Sequence, residues 1–155
     1  AAMLDPDVFD IALGQGREMI AQGGARAEMI GDFMAENDLV ERNVAGGLNA
    51  MIAFYSGLQQ GGGLPQGVSI DVLLGDLVAQ EEAIRTETTD WMVGYLAMAY
   101  APVSDDDLVT YLAFSKTEAG KALNRALFDA YEDLYDDISR VLGYEAARIM
   151  IQAEL

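Results

Sequence analysis

The sequence predicts an all-α protein, an orthogonally packed bundle of five to six helices, one or two of them long, in a single domain over residues 1–155. Apolar residues recur at spacings of three and four along most of the chain, which is the period of helices with one buried face. Signals that begin and end helices separate these apolar stripes. With 155 residues and a 52% apolar fraction, the chain can bury a core.

The first two predicted helices precede a glycine-rich segment. One begins at Asp5-Pro6, an N-cap followed by a proline in the first helical position, and ends at Gly23-Gly24. The other is long, with a single apolar stripe from Met29 to Tyr55. The run from Gly57 to Gly67 then predicts a loop.

The next two predicted helices surround a proline and a cluster of acids. An apolar stripe runs from Ile70 to Ala99 and ends before Pro102. The sequence leaves open whether the helix is interrupted near Glu81-Glu82. Ser104 precedes three aspartates, which makes it a strong N-cap for a short helix ending near Phe114.

Thr117 has the position of another N-cap, so a helix–break–helix unit is predicted around Phe114. Gly143 lies where a glycine would end the helix that Thr117 begins, and a short final helix would start at Tyr144. The helix between them is expected to bury one apolar stripe. The stripe residues are Leu123, Leu127, Tyr131, Leu134, Ile138 and Leu142.

An Ala-Phe step occurs twice, at Ala53-Phe54 and at Ala113-Phe114, each time after an aliphatic residue and before a hydroxyl and a glycine. The interpretation from sequence is a buried phenylalanine in the last turn of a helix, followed by residues that stop the helix. The two steps therefore indicate helix boundaries and not a duplicated catalytic site.

The composition excludes several classes of function. The chain has 9 basic and 26 acidic residues, a net charge of −17, and neither cysteine nor histidine. A nucleic-acid binder needs a positive surface, which cannot be assembled here. Disulfides, Cys/His zinc sites and Ser-His-Asp or Cys-His catalysis are excluded as well. No cofactor is expected, and a charged partner would be a divalent cation or a basic protein surface.

The segment from Asn43 to Ile70 is free of charge, but its glycines, amides and Pro65 make it a poor membrane span. No membrane span is therefore predicted.

The segment DAYEDLYDD places five acids on one helical face, a weak candidate for a site that holds calcium or magnesium. A straight helix presents carboxylates in a row and not as a cage, so a solvated acidic surface is the competing interpretation. The five residues are Asp129, Glu132, Asp133, Asp136 and Asp137.

Two further groups are candidate interaction surfaces. Small residues recur at helical spacing at Gly46, Ala50, Ala53 and Gly57, which indicates either a tight crossing within the chain or a dimer contact. An aromatic patch centred on Trp91 and Tyr95 is either core or, where exposed, a hydrophobic binding surface.

Catalysis has little support in the sequence. An all-helical glycosidase would use a buried carboxylic acid and a second carboxylate, with Glu81, Glu82 or Glu87 near Trp91 as the acid. Nothing in the sequence selects such a pair from 26 acidic residues.

A family resemblance is carried by three steps of the C-terminal half: Ser104-Asp-Asp-Asp-Leu108, Phe114-Ser115 and Ala119-Gly120-Lys121. With these steps the chain resembles the uncharacterised bacterial family labelled domain of unknown function 2059 (DUF2059), over about residues 37–142. It departs from that family's pattern because a tyrosine follows the motif phenylalanine only at Phe54-Tyr55.

The resemblance implies an exported helical protein of the bacterial cell envelope, periplasmic or secreted. It also implies that this chain is the C-terminal part of a longer precursor whose signal peptide lies outside it. The resemblance carries over no catalytic or ligand-binding residue.

Together these observations predict a non-catalytic acidic helical protein that acts through protein–protein contact or self-association, in the second case as a homo-oligomer. The alternative is a helical binding module for a hydrophobic small molecule or a divalent cation. A glycosidase-like enzyme is the third possibility.

Overall fold

The computed structural model describes residues 6–64 and 68–153, with side chains from Phe9 onward. Those residues form six helices and no strand, which confirms the all-α prediction. The two longest helices have 31 and 36 residues. The helices are α1 (Pro6–Gln22), α2 (Ala25–Glu36), α3 (Leu39–Gln60), α4 (Ile70–Tyr100), α5 (Asp105–Ser115) and α6 (Glu118–Ala153).

The chain divides into two compact units. Unit 1 comprises Ala1–Glu41 and Arg85–Arg125, and unit 2 comprises Arg42–Ile84 and Ala126–Leu155. Helices α3, α4 and α6 each contribute residues to both units.

The predicted break around Phe114 is present in unit 1. The Ser104 hydroxyl accepts a hydrogen bond from the Asp107 backbone N–H at 3.2 Å and so caps α5. The Thr117 hydroxyl accepts from the Gly120 N–H at 3.0 Å and donates to the Phe114 carbonyl at 2.7 Å. Both capping predictions are therefore correct. Phe114 itself is exposed, so the prediction of a buried phenylalanine is wrong at this site.

The long helix predicted from Met29 to Tyr55 is in fact two helices. The chain turns at Asn37-Asp38, where Asp38 has a φ of 53°. Asp tolerates this left-handed conformation better than most residues. The buried Asn37 amide donates to the Phe33 carbonyl at 2.9 Å and stabilises the end of α2. The apolar stripe continues across this turn, which explains why periodicity alone missed it.

Two glycines predicted to lie at or beyond helix ends lie inside helices. Helix α3 continues past Gly57 to Gln60, and the chain leaves it through Gly62, which has a φ of 76°. Helix α6 runs through Gly143 to Ala153, so no separate helix starts at Tyr144. Helix α4 is likewise continuous through Glu81-Glu82. Residues Asp5 and 65–67, on which other boundary predictions fall, lie outside the described residues.

The apolar stripe predicted to be buried along the last long helix faces solvent instead. The six stripe residues of α6 are between 44% and 57% exposed. The side of α6 that packs within unit 2 contains small residues, because Gly143 and Ala147 are both buried. A helix that approaches another backbone closely needs small residues at the crossing, and this requirement has overridden the apolar periodicity.

The core of unit 1 is formed mainly by α2, the second half of α4, and α5. Ile30 and Leu108 are almost completely buried. Phe33 packs edge-on against Tyr100 with ring centroids 5.7 Å apart, and Tyr111 lies 5.4 Å from Phe33. Burial raises the pKa of Tyr100 well above its ordinary value, as expected for a phenol inside an apolar cluster.

The core of unit 2 depends on a close crossing of α3 and α6. A Cβ atom on Gly57 would collide with the Arg140 carbonyl, and one on Gly143 would collide with the Phe54 carbonyl. Further along, Ala147 packs where Gly61 and Gly63 leave room for it. Val44, Ala53 and Leu77 are also buried.

Candidate interaction surfaces

One candidate surface, in unit 2, is an exposed apolar face of α6. Its eight residues are each between 44% (Ile138) and 66% (Ile149) exposed. Tyr131 and Tyr135 stack on this face with ring centroids 6.3 Å apart. The α6 apolar face comprises Leu127, Tyr131, Leu134, Tyr135, Ile138, Val141, Leu142 and Ile149.

The sequence stripe contained five of these residues but missed Tyr135, Val141 and Ile149. Val141 lies three residues after Ile138, so the alternating steps of four and three from Leu127 to Val141 would have identified it. Periodicity found the face, but it could not show which molecule covers it.

The five acids proposed as a weak metal site do not converge. Among the residues that the structure describes, no group of three acidic side chains could hold a metal ion. Glu132 and Asp136 are half-buried on the packed side of α6, and the other three acids are exposed. Asp129 lies 4.0 Å from the Arg42 guanidinium, which also lies over the Phe128 ring at 5.4 Å from its centroid.

The packed side of α6 leaves one carboxylate oxygen unsatisfied. Asp136 Oδ1 is buried and has no hydrogen-bond partner among the described residues. A buried polar atom without a partner costs free energy, so the Asp136 carboxylate is expected to destabilise this side of α6.

The ridge of small residues on α3 is occupied within the chain. Ala53 and Gly57 are buried in unit 2, and Gly57 lies against the α6 backbone at Arg140. Gly46 and Ala50 are half-buried, and a Cβ on Gly46 would lie 3.6 Å from the Glu132 side chain. At Ala53 and Gly57 the ridge therefore forms a tight intrachain crossing, one of the two interpretations that the sequence leaves open.

The aromatic patch on α4 in unit 1 is exposed. Trp91 and Tyr95 stack with ring centroids 4.8 Å apart and an interplanar angle of 11°, and they are 41% and 36% exposed. Their neighbours Met92 and Leu96 are buried on the other side of the helix. The stacked pair is therefore a surface feature and not part of the core.

Unit 1 also has a shallow open depression of about 390 Å³ beside the α2–α3 turn. Its wall is largely apolar, with Met34, Leu39 and Val93 among the lining residues. Asp38 and Glu41 also line it, and Glu41 is ion-paired with Arg85.

The carboxylates considered for glycosidase chemistry lie along α4. Glu82 and Glu87 are exposed, and Glu81 is half-buried. None of the three lines the depression beside the α2–α3 turn. Glu82 and Glu87 therefore lack the buried setting that the general acid of a glycosidase needs.

No family model matches the chain, and comparisons with curated proteins and with solved structures found no match either. None of the helices, over the part of the chain that the structure describes, combines the length and the apolar character needed to cross a bilayer.

Proposed function

We propose that this protein is a non-catalytic, acidic helical module of the bacterial cell envelope that acts by contact with another protein chain, either a different protein or a second copy. The α6 apolar face is the contact surface, and its exposure is the observation that carries the proposal.

The size of the face supports a contact function. If a large apolar residue presents on the order of 150–200 Å² when fully exposed, the face leaves roughly 650–900 Å² in water. The largest apolar patch on a typical monomer is about 300–600 Å². Keeping a larger patch in water is unfavourable, so a partner that covers it gains free energy from burial.

The charge of the chain narrows the class of partner. A net charge of −17 opposes binding to nucleic acid and to anionic lipid. The location in the cell envelope rests on the sequence resemblance to DUF2059. A non-catalytic role is supported by the composition, which lacks His and Cys, and by the exposed positions of Glu82 and Glu87 on α4.

The proposal is tested by photo-cross-linking in the cells that make the protein. A photoreactive amino acid in place of Ile138, within the α6 apolar face, is expected to form adducts with protein on illumination. The matched control is the same substitution at Val78, which is 70% exposed on α4 in the same unit. Protein adducts at 138 and not at 78 support the proposal. Absence of protein adducts at 138, or equal labelling at both sites, contradicts it.

A second candidate function is binding of a hydrophobic small molecule in unit 1. The depression of about 390 Å³ lies within the roughly 300–1,000 Å³ range of ligand pockets. Native mass spectrometry of the purified chain tests this function. A bound apolar molecule that is lost in Val93→Asp supports the second candidate, and an unliganded chain after mild purification counts against it.

A further inference from the structure

We propose that the partner of the α6 apolar face is a second copy of this chain, bound face to face so that two α6 helices form a coiled-coil-like seam. This inference rests on the proposed function because it identifies the protein that covers the same surface. It goes further because it specifies the occupant and the residues that meet.

The area of the face matches what a stable dimer needs. A standard interface buries about 800 Å² on each partner, and the α6 apolar face exposes roughly 650–900 Å². In a symmetric pair each copy supplies the same surface, so one helix face satisfies both sides of the interface.

The spacing of the face is that of a two-helix seam. Leu127, Tyr131, Leu134, Ile138 and Val141 follow one another at steps of four, three, four and three. Such steps keep a stripe facing a partner helix along a supercoil, with each side chain inserted between four residues of the partner. Ile138 and Leu134 then occupy the two alternating positions, called a and d, where β-branched residues and leucine favour pairs of helices.

The α6 apolar face itself carries no charged residue that would repel a second copy. At 3.6 residues per turn, the stretch from Leu127 to Tyr144 has no charged residue within roughly 60° of the midline of the face. The acids of this stretch project from the other sides of α6, and Glu145 pairs with Arg148 of the same helix at 2.9 Å. Two copies can therefore meet along apolar surface alone.

The polar side of α6 argues against a lipid surface as the occupant. Helices that lie on membranes usually carry Lys and Arg on the polar side, where they attract anionic lipid. Between Leu127 and Tyr144, α6 instead has five acids and one Arg. The charge of the whole chain distinguishes self-association from other binding. Two copies of charge −17 repel each other, and added salt screens this repulsion, so salt is expected to strengthen the dimer.

Sedimentation equilibrium of the full purified chain, from about 50 to about 500 mM NaCl, tests the inference. We expect a monomer–dimer equilibrium whose dissociation constant falls as salt is added, whereas added salt would weaken binding to a basic partner. Leu134→Glu and Ile138→Glu are expected to raise the dissociation constant at least tenfold. Val78→Glu adds the same charge at an exposed site of unit 2 outside the face and is expected to change it little. Circular dichroism verifies that each variant is folded.

Cysteine scanning provides a second, independent readout because the natural chain contains no cysteine. Leu134→Cys and Ile138→Cys are introduced one at a time and oxidised, and Val78→Cys is the matched control. A disulfide needs Cα atoms within about 7 Å. Efficient disulfide dimers at a seam position and not at 78 support the inference. The pattern of positions that cross-link also reports whether the two helices are parallel or antiparallel.

Three results would overturn the inference: a monomer at every concentration and salt level, a dimer that Leu134→Glu leaves intact, or a monomer that binds zwitterionic vesicles through this face. The proposed function survives the first two, because a different protein can still cover the face, whereas vesicle binding through the face would contradict the proposed function as well. If the purified chain is monomeric but position 138 cross-links to a different protein in cells, only the second copy is wrong as occupant.

Discussion

Gly57 of α3 and Gly143 of α6 lie reciprocally against each other's helix in unit 2. A Cβ on Gly57 would meet the Arg140 carbonyl, and a Cβ on Gly143 would meet the Phe54 carbonyl, both closer than the 3.0 Å that real Cβ atoms essentially never show. Each glycine costs helix stability but allows the two backbones to touch. The contact between α3 and α6 at this crossing is therefore made by small residues and not by bulky apolar side chains.

The crossing predicts opposite effects for two glycines of the same helix. Gly57→Ala forces a methyl group against backbone, which cannot rotate aside as a side chain can, and is expected to destabilise the fold by about 1–3 kcal/mol. Gly47→Ala places its methyl group where nothing lies within 4 Å. This control is expected to stabilise α3 by about 0.5–1 kcal/mol. Urea unfolding measures both, and similar effects from the two variants would contradict the crossing.

The six helices fall within the predicted number only because the missed turn at Asn37-Asp38 is balanced by the absence of a separate helix from Tyr144. The caps were predicted correctly because they depend on local chemistry. Ser104 and Thr117 satisfy free N–H groups of the turn that follows them, and this bonding involves no distant residue. The turn at Asn37-Asp38 was also local but was overlooked, since the apolar stripe continues across it. An Asn-Asp pair inside a stripe is a turn signal that periodicity hides.

The orientation of α6 could not be predicted because it depends on what the helix packs against. Leu134 and Ile138 have the correct period for a buried stripe, but Gly143 and Ala147 determine which side reaches α3. Apolar periodicity does not distinguish burial within a chain from burial between chains. The candidate surface was therefore identified by its spacing and misassigned to the core.

The hydrogen bonds from Arg26 to the turn between α4 and α5 are expected to contribute measurably to the free energy of unfolding. Its guanidinium donates hydrogen bonds to the Tyr100 carbonyl and, at 2.9 Å, to the Val103 carbonyl, and it pairs with Asp105. Arg26→Ala is expected to lower the free energy of unfolding by about 1.5–3 kcal/mol, the usual contribution of hydrogen bonds to a charged group. Arg26→Lys is expected to retain only part of this free energy, because the lysine ammonium lacks the planar, forked arrangement of N–H donors of a guanidinium.

The control for Arg26 is Arg148→Ala. Arg148 pairs with Glu145 three residues before it on exposed surface, where such pairs contribute about 0.3–0.5 kcal/mol. Thermal unfolding followed by circular dichroism compares the variants. A loss from Arg26→Ala no larger than that from Arg148→Ala would show that the three-acceptor arrangement contributes little.

The ion pair between Glu36 and Lys121 predicts a dependence of stability on pH. Lys121 Nζ lies 2.8 Å from Glu36 Oε1, and this hydrogen bond lowers the pKa of Glu36 and raises that of Lys121. The contribution of Glu36 is therefore present above the pKa of an unfolded glutamate, about 4.3, and is lost as the pH falls below it. The contribution of Lys121 is present below about pH 10.4 and is lost as the pH rises further.

Glu36→Gln is accordingly expected to lower the melting temperature at pH 7, and this effect is expected to shrink as the pH falls below about 4.3, the pKa of an unfolded glutamate. Both side chains remain partly exposed, 26% for Glu36 and 37% for Lys121, so the shift in melting temperature is expected to shrink in high salt. Glu87→Gln, on exposed surface of α4, is the matched control. A difference between wild type and Glu36→Gln that stays constant from pH 7 to 3 would refute this coupling.

Asp136 predicts that removing an acid from the packed side of α6 stabilises the protein. Its Oδ1 atom is buried without a hydrogen-bond partner among the described residues, and such an atom costs about 1–3 kcal/mol. Asp133→Ala is the matched control, because this exposed aspartate on the same helix shares the charge and helix-propensity changes. The free energy of unfolding of Asp136→Ala in urea is expected to exceed that of Asp133→Ala by about 1 kcal/mol. The difference is at the low end because the packing lost with the side chain offsets part of the gain from removing the unsatisfied oxygen. A larger loss from Asp136→Ala than from Asp133→Ala would mean that the buried oxygen is satisfied in solution and that this side of α6 packs without penalty.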